Sequence, residues 1–297
     1  MKRTFITLAI AFVAVTPLPA QSKKGGSAGP TPVEVTVAQI HDRRTTSPFS
    51  QLGISLELAG TKASDVSAAR VTIQKAVDDT GRDLLDPEAG EPQFQGTTGA
   101  FLAADAAKGP ASVDLTLKNP SRDAKTIKEI RGEVELYMPV KDADAVALIP
   151  KFQSLAGKPV ANKALKANGV EISIIGPAQL EAEKKKGSKA RADELKKDGN
   201  DAETIKWMIE SFESSFLTPD EGEIVLRVKD PSKRVHEFAF IDGAGEPQRV
   251  YSHDSDGFTV ISSFGAKPAA DWKLKVSLRT PKTMARYSYV VKDIELP

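Results

Sequence analysis

The chain has 297 residues, a formal charge of +1 and no cysteine. Without cysteine, disulfides, thiol catalysis and cysteine-ligated metal sites are excluded. A near-neutral chain creates no long-range field that would gather nucleic acid, so nucleic acid is not an expected partner. The length is sufficient for two hydrophobic cores of ordinary domain size.

The N-terminal residues predict export. Lys2 and Arg3 precede an apolar run over residues 5–15, and residues 17–20 end in an alanine suited to cleavage. This is the layout of a secretory signal peptide, and the run is too short to span a bilayer. We therefore predict a signal peptide over residues 1–20 and no transmembrane span once it is removed, with an uncleaved anchor as the alternative. An exported chain without disulfides favours a bacterial periplasmic or extracellular location.

The first half of the chain predicts a β-domain. Residues 21–32 are mostly glycine, serine, proline and lysine with no large apolar side chain, which is typical of a flexible leader. From Val33 onward, apolar residues alternate with polar ones as in half-buried strands. Further strand patterns lie at 54–58, 71–77, 113–117 and 127–136. These patterns predict a first β-sandwich over residues 33–140.

The second half repeats this composition. Asn168-Gly169 is a strong hairpin signal, and strand patterns follow at 224–228, 235–241, 258–261, 272–278 and 287–296. Short strands separated by turns favour sandwiches over a parallel α/β sheet. Each half resembles an immunoglobulin-like sandwich in size, although the cysteine pair of antibody domains is missing. The sequence thus predicts a mainly β protein of two tandem antiparallel immunoglobulin-like β-sandwich domains, the second over residues 141–297.

Residues 178–217 depart from the strand pattern and predict a helical insertion in the second domain. Lysine, glutamate and alanine dominate the first part, which Gly187 is expected to interrupt. Asn200 is the predicted N-cap of a second helix. That helix carries an apolar stripe at steps of three and four, which we expect to pack on the adjacent sheet: Ile205, Met208, Ile209, Phe212 and Phe216.

Four short segments recur in the same order along the chain, which predicts a duplicated domain. The first pair is separated by a shorter offset than the other three, so the insertion lies between Gly176 and Asp242. Asp78 and Asp242 occupy equivalent turns, where we expect a structural role. The paired segments are 53–60 with 169–176, 77–81 with 241–245, 115–120 with 276–281, and 134–136 with 294–296.

One loop has side chains that suit a metal ion. His253, Asp254 and Asp256 come just before Gly257, and alternate carboxylates on a glycine-ended loop can surround Ca²⁺. A transition metal is the alternative, through the histidine. The loop lacks a downstream bidentate acid, so an ordinary polar turn is the favoured interpretation. We predict no cofactor beyond this candidate Ca²⁺ site.

The helical insertion has the residues best suited to a partner. Lys184, Lys185 and Lys186 form a basic run, and Trp207 lies off the apolar stripe. Nearby acids dilute the basic run, so a solvated helix face is the favoured alternative. Any partner is expected to be an unidentified envelope or extracellular component.

No motif of catalysis accompanies these features. The chain has no Gly-x-Ser-x-Gly elbow, no His-Glu-x-x-His and no glycine-rich phosphate loop. We therefore expect a non-catalytic exported bacterial binding, adhesion or scaffold protein. The alternatives are a hydrolase of envelope or polysaccharide material, with carboxylates on separate loops, and a structural component of an assembly.

Overall fold

A computed structural model describes residues 33–45, 50–60, 63–96, 111–248, 250–263 and 267–297. The predicted signal peptide (1–20) and leader (21–32) lie outside the described residues. The protein is mainly β, and its strands pair in antiparallel sheets. Within the described ranges, no helix has the length and apolar character needed to cross a membrane.

The chain divides into two units. Among the described residues the first unit contains seven of fifteen strands, numbered here in chain order. Six of the seven lie before residue 141, and the last is the C-terminal strand of the chain. They are β1 (Glu34–Arg43), β2 (Gln51–Ala59), β3 (Ala68–Asp78), β4 (Gln95–Gly96), β5 (Ala111–Leu117), β6 (Thr126–Tyr137) and β15 (Met284–Glu295), with 3-10 turns at Ala63–Asp65 and Pro139–Lys141.

The strands of the first unit form two sheets that share one hydrophobic core. The sheet orders are β1-β2-β5 and β15-β6-β3-β4. Alternate residues of β2 and β6 point into the core, as the period of a half-buried strand requires. Leu56 and Val134 are examples, and both are fully buried. The result is a sandwich-like arrangement of two antiparallel sheets.

The second unit, Asp142–Thr280, contains the other eight strands and the α-helices. The strands are β7 (Val146–Pro150), β8 (Glu171–Ile174), β9 (Ile224–Lys229), β10 (Val235–Ile241), β11 (Pro247–Gln248), β12 (Val250–Ser255), β13 (Phe258–Ser263) and β14 (Lys273–Leu278). The helices are α1 (Lys163–Ala167), α2 (Pro177–Lys197) and α3 (Ala202–Ser215), with 3-10 turns at Ala143–Ala145 and Phe152–Leu155.

Two sheets also enclose the core of the second unit. Their orders are β11-β10-β14-β7 and β12-β13-β9-β8. Phe152 stacks on Phe240 with ring centroids 5.3 Å apart, and Trp272 lies 6.0 Å from the same ring. Both phenylalanines are fully buried. The helices α2 and α3 are inserted in the sequence between β8 and β9.

The division of the chain differs from the expected one at the C-terminus. We predicted that residues 141–297 form one domain, but Pro281–Pro297 belongs with the first unit. The reason is that β15 pairs with β6 over its full length, from Met284 opposite Tyr137 to Glu295 opposite Thr126. The second unit is thus inserted in the sequence of the first, between β6 and β15, instead of following it.

The strand orders do not support the predicted duplication. The first and third repeat segments of the first unit lie in β2 and β5, which are hydrogen-bonded neighbours. Their counterparts lie in β8 and β14, which belong to different sheets. The fourth pair lies in β6 and β15, adjacent strands of the same unit. Alternating strands with similar turns produce such matches without a common origin.

One repeated pair does have the same local structure in both places. In each turn the aspartate Oδ1 accepts hydrogen bonds from the backbone N–H groups two and four residues later, at 2.9–3.0 Å. The third residue after the aspartate is a glycine with positive φ, 86° at Gly81 and 92° at Gly245. Asp78 and Asp242 therefore have the structural role expected of them.

Candidate functional site

The insertion consists of two antiparallel helices. α3 begins after Asp201, whose Oδ1 accepts hydrogen bonds from the backbone N–H groups of Glu203 and Thr204, both at 2.9 Å. The predicted N-cap, Asn200, is therefore wrong by one residue. An aspartate at this position both caps the backbone and complements the positive end of the helix dipole.

Gly187 does not interrupt α2 as expected but permits its contact with α3. A Cβ atom at this position would lie 2.8 Å from Cζ of Phe212, so any larger residue would force the ring to move. One residue later, the Ser188 hydroxyl donates to Glu213 Oε1 at 2.7 Å. The two helices thus meet through a glycine–phenylalanine contact beside a part-buried hydrogen bond.

The apolar stripe of α3 packs on the sheet only at its C-terminal end. Phe216 is buried in a small cluster with Leu180, Val225 and Phe258, and Phe212 packs against that cluster. The earlier members of the stripe, from Ile205 to Ile209, are only half-buried. The packing of the stripe on the sheet, which we predicted for all five residues, is therefore limited to this end.

A cleft lies where the helices meet the turn between β12 and β13. Its volume is about 410 Å³. Its apolar lining includes three phenylalanine rings, one from α3, one from the residue just after α3 and one from β13. Its charged lining comes from α2, β9 and the turn. The lining residues are Glu183, Lys186, Gly187, Ala190, Phe212, Phe216, Arg227, Asp256, Gly257 and Phe258.

The charged side chains of the cleft are held by specific contacts. Arg227 on β9 forms an ion pair with Glu183 on α2 at 2.9 Å, and its guanidinium lies 5.2 Å from the centre of the Phe258 ring. Asp256 Oδ2 accepts a hydrogen bond from the Leu217 backbone N–H at 2.8 Å. These contacts connect the sheet, the helices and the turn at one place.

Local backbone geometry places Asp256 at the edge of the cleft. Asp256 and Gly257 both have positive φ, 51° and 78°, as the two central residues of a tight hairpin turn require. Aspartate and glycine are the residues that adopt this geometry at least cost. The sequence pattern that suggested a metal loop therefore has a sufficient cause in the turn itself.

The three predicted metal ligands do not converge on one point. His253 lies in β12 opposite Val260 and stacks on Tyr251 with ring centroids 5.5 Å apart. Asp254 accepts a hydrogen bond from the Thr259 hydroxyl at 2.7 Å. Successive side chains of a strand point to opposite faces, which separates these two residues. Across the described parts of the chain, no group of three potential ligands is positioned to hold a metal ion.

The predicted partner residues are distributed over several faces of the helices. Lys186 is exposed and lines the cleft. Lys184 and Lys185 lie outside the cleft; the first is half-buried and the second is exposed. Trp207 is 67% exposed. It lies five residues before Phe212, and thus on roughly the opposite face of α3. The structure therefore brings Lys186 and Asp256 together and leaves Trp207 apart.

Sequence reasoning missed most of the cleft. Arg227 lies in a strand pattern and Glu183 in a solvated helix, and neither position carries a distinguishing signal. Phe258 and Phe216 read as core residues, which they also are. Because these residues are distant in the chain, only the fold reveals that they share one site.

No protein-family profile, curated protein or solved structure matches this chain.

Proposed function

We propose that this chain is a non-catalytic, exported bacterial binding protein whose ligand site is the cleft between α2, α3 and the β12–β13 turn. The observation that supports this most is the combination of an aromatic lining with charged groups from three separate elements. Ligand sites are typically concave, largely apolar and equipped with a few convergent polar groups. The cleft volume of about 410 Å³ lies in the usual range for small ligands.

The lining favours a small amphipathic ligand with an anionic group. Phe212, Phe216 and Phe258 offer apolar surface, while Arg227 already has a carboxylate partner in Glu183. Lys186 supplies a second cation, an ammonium group, at the rim. An anion close to this ammonium and partly shielded from water gains more than it would at an open surface.

A hydrolase remains the alternative because two carboxylates, Glu183 and Asp256, line the same cleft. Both are already engaged, the first by Arg227 and the second by the Leu217 backbone N–H. A glycosidase would need one of them to act as a proton donor and the other to face the substrate. The ion pair with Arg227 gives Glu183 a structural role, and the hydrogen bond from Leu217 N–H gives Asp256 one. These roles favour a binding protein over a hydrolase.

The first unit has a strand arrangement that supports an immunoglobulin-like sandwich. The order β1-β2-β5 corresponds to strands A-B-E of that architecture. The order β15-β6-β3-β4 begins with the counterparts of G-F-C and adds the short edge strand β4. On this proposal the second unit takes the place of the loop between strands F and G. End loops of such sandwiches commonly present binding elements, so an inserted domain there suits a binding protein.

Binding at the cleft can be tested with 8-anilinonaphthalene-1-sulfonate, a fluorescent aromatic anion. We expect saturable binding to the native protein and a roughly tenfold weaker affinity for Lys186→Glu, about 1.4 kcal/mol, because the sulfonate loses its cation and meets a carboxylate. Fluorescence titration measures both dissociation constants.

The matched control is Lys185→Glu, which makes the same charge change on the adjacent residue outside the cleft. It should bind the probe with nearly native affinity. Equal weakening by both substitutions would indicate a non-specific charge effect, and equal affinity in all three proteins would place the probe at another site. Either result would contradict the proposal.

A further inference from the structure

The outer face of α3 has an exposed tryptophan between two acidic residues. Trp207 is 67% exposed, and Glu210, three residues later, has 64% of its side chain exposed. Glu203, four residues earlier, is also exposed. Residues at these spacings lie on one helix face, so the ring has a carboxylate on each side along the helix axis. The face points away from Phe212 and the cleft.

The outer face of α2 has the opposite charge. Lys185, Lys189 and Lys196 are exposed and lie on one side of the helix, away from Gly187 and Ser188, which face α3. Long lysine side chains on a solvated face keep their charge in water and can reach a partner. One face of the hairpin thus presents three exposed lysines, with Asp193 between Lys189 and Lys196. The opposite face presents two exposed glutamates and an aromatic residue, with Lys206 beside them.

The spacing of the charges is the same on the two faces. Lys189 and Lys196 are seven positions apart, as are Glu203 and Glu210. Seven residues correspond to about 10 Å along a helix, and both members of each pair lie on one side of it. Two lysine–glutamate pairs can therefore form at once between the outer face of α2 and the outer face of another α3.

We propose that the outer face of α3 docks on the outer face of α2 in a second copy of this chain. Trp207 then becomes buried between two flanking ion pairs, which is the arrangement of an aromatic anchor with a charged rim. This proposal is independent of the ligand cleft, because none of its four charged residues lines it.

The geometry makes this association open-ended. The two complementary faces point in opposite directions on one hairpin, so a copy that docks through α3 keeps its own α2 face available. Contacts of this head-to-tail type form chains unless a rotation closes them. Each exposed ion pair contributes little on its own, and the existing Lys206–Glu210 pair at 3.9 Å competes with one of them. The association is accordingly weak and sensitive to salt.

Sedimentation velocity of the whole protein tests the proposal. At low ionic strength the weight-average mass should rise with protein concentration, and high salt should return it to that of the monomer. Glu203→Lys with Glu210→Lys should remove the rise, as should Lys189→Glu with Lys196→Glu. Circular dichroism of each variant verifies that the helices remain folded.

Mixing the two double variants provides the decisive comparison. Each alone presents like charges on both faces, but together they present complementary faces, so the mixture should associate again. The control Glu88→Lys with Glu91→Lys makes the same charge change on exposed residues of the first unit and should associate like the native protein. A native protein that stays monomeric at every concentration overturns the proposal, as does a mixture that fails to associate or a charge-reversed variant that still does.

Discussion

Replacing Gly132 with alanine is expected to destabilise the first unit by roughly 3 kcal/mol, the upper end of the usual cost of overpacking. Gly132 lies in β6 between β3 and β15, and an added Cβ would lie 2.2 Å from the Thr72 carbonyl oxygen and 3.1 Å from the Ile73 Cα. Both obstacles are backbone atoms of a paired strand, so neither can move without breaking hydrogen bonds. The approach is close because β3 has a bulge between Ile73 and Lys75.

Urea denaturation followed by circular dichroism measures this loss. Both tryptophans, Trp207 and Trp272, belong to the second unit, so tryptophan fluorescence supplies a separate signal from that unit. The dichroism transition should shift more than the fluorescence transition. The matched control is Gly53→Ala in β2, where the nearest atoms lie at 3.8 Å and the change should stay within about 0.5 kcal/mol. Similar losses in both variants would show that the close approach at Gly132 is not the cause.

Replacing Asp78 with alanine is expected to cost about 3–4 kcal/mol. The Asp78 side chain is fully buried and accepts hydrogen bonds from the Thr80 and Arg82 backbone N–H groups and from Ser121 N–H at 2.8 Å. Alanine leaves these donors without their acceptor in a site closed to water. The carboxylate thus connects its own turn to the segment that leads into β6.

Asp242→Ala is the matched control, because its turn has the same two backbone hydrogen bonds within the turn but is only half-buried. Water can replace the lost acceptor there, so about 1 kcal/mol is expected. Chemical denaturation of the two variants gives the comparison. A cost at Asp242 equal to that at Asp78 would mean that turn geometry, and not burial of the donors, determines the effect.

The same carboxylate predicts a pH dependence. Burial raises the pKa of Asp78. The hydrogen bonds from Ser121, Thr80 and Arg82 together lower this pKa by a larger amount, so it lies below its usual range. A carboxyl with a depressed folded-state pKa stabilises fully above its unfolded pKa of about 4 and loses that contribution as pH falls through the folded value. Asp78→Asn should therefore lose less stability than the native protein between about pH 5 and pH 2.

The local elements of the fold were predictable because their patterns depend only on neighbours in sequence. Alternating residues such as Leu56 and Leu58 mark strands, and a run rich in lysine, glutamate and alanine marks α2. Which strands pair was not predictable in the same way. The pattern of β15 is that of any half-buried strand, and nothing in it specifies pairing with β6 across the whole second unit.

The candidate site was predictable only in fragments. The sequence indicated Lys186 as part of a basic run that could bind a partner, and Asp256 as part of a loop that could bind a metal ion. It did not indicate that the two residues line one cleft. Glu183, Arg227 and Phe258 converge there because α2 packs over β9 and β13, a long-range contact that no local period reports. The repeated Asp-x-x-Gly turn shows that a correctly predicted local structure does not reveal the fold around it. The same turn occurs in two units with different strand orders.

Amide chemical-shift mapping with 8-anilinonaphthalene-1-sulfonate tests the proposed binding site most directly. We predict that the shifts concentrate in three separate segments that line the cleft, 183–190, 212–216 and 256–258, together with Arg227. A second groove, lined by residues 159–163, 165–166 and 170–173, is the internal comparison. Shifts concentrated in that groove, with the cleft segments unchanged, would contradict a ligand site beneath the helical insertion.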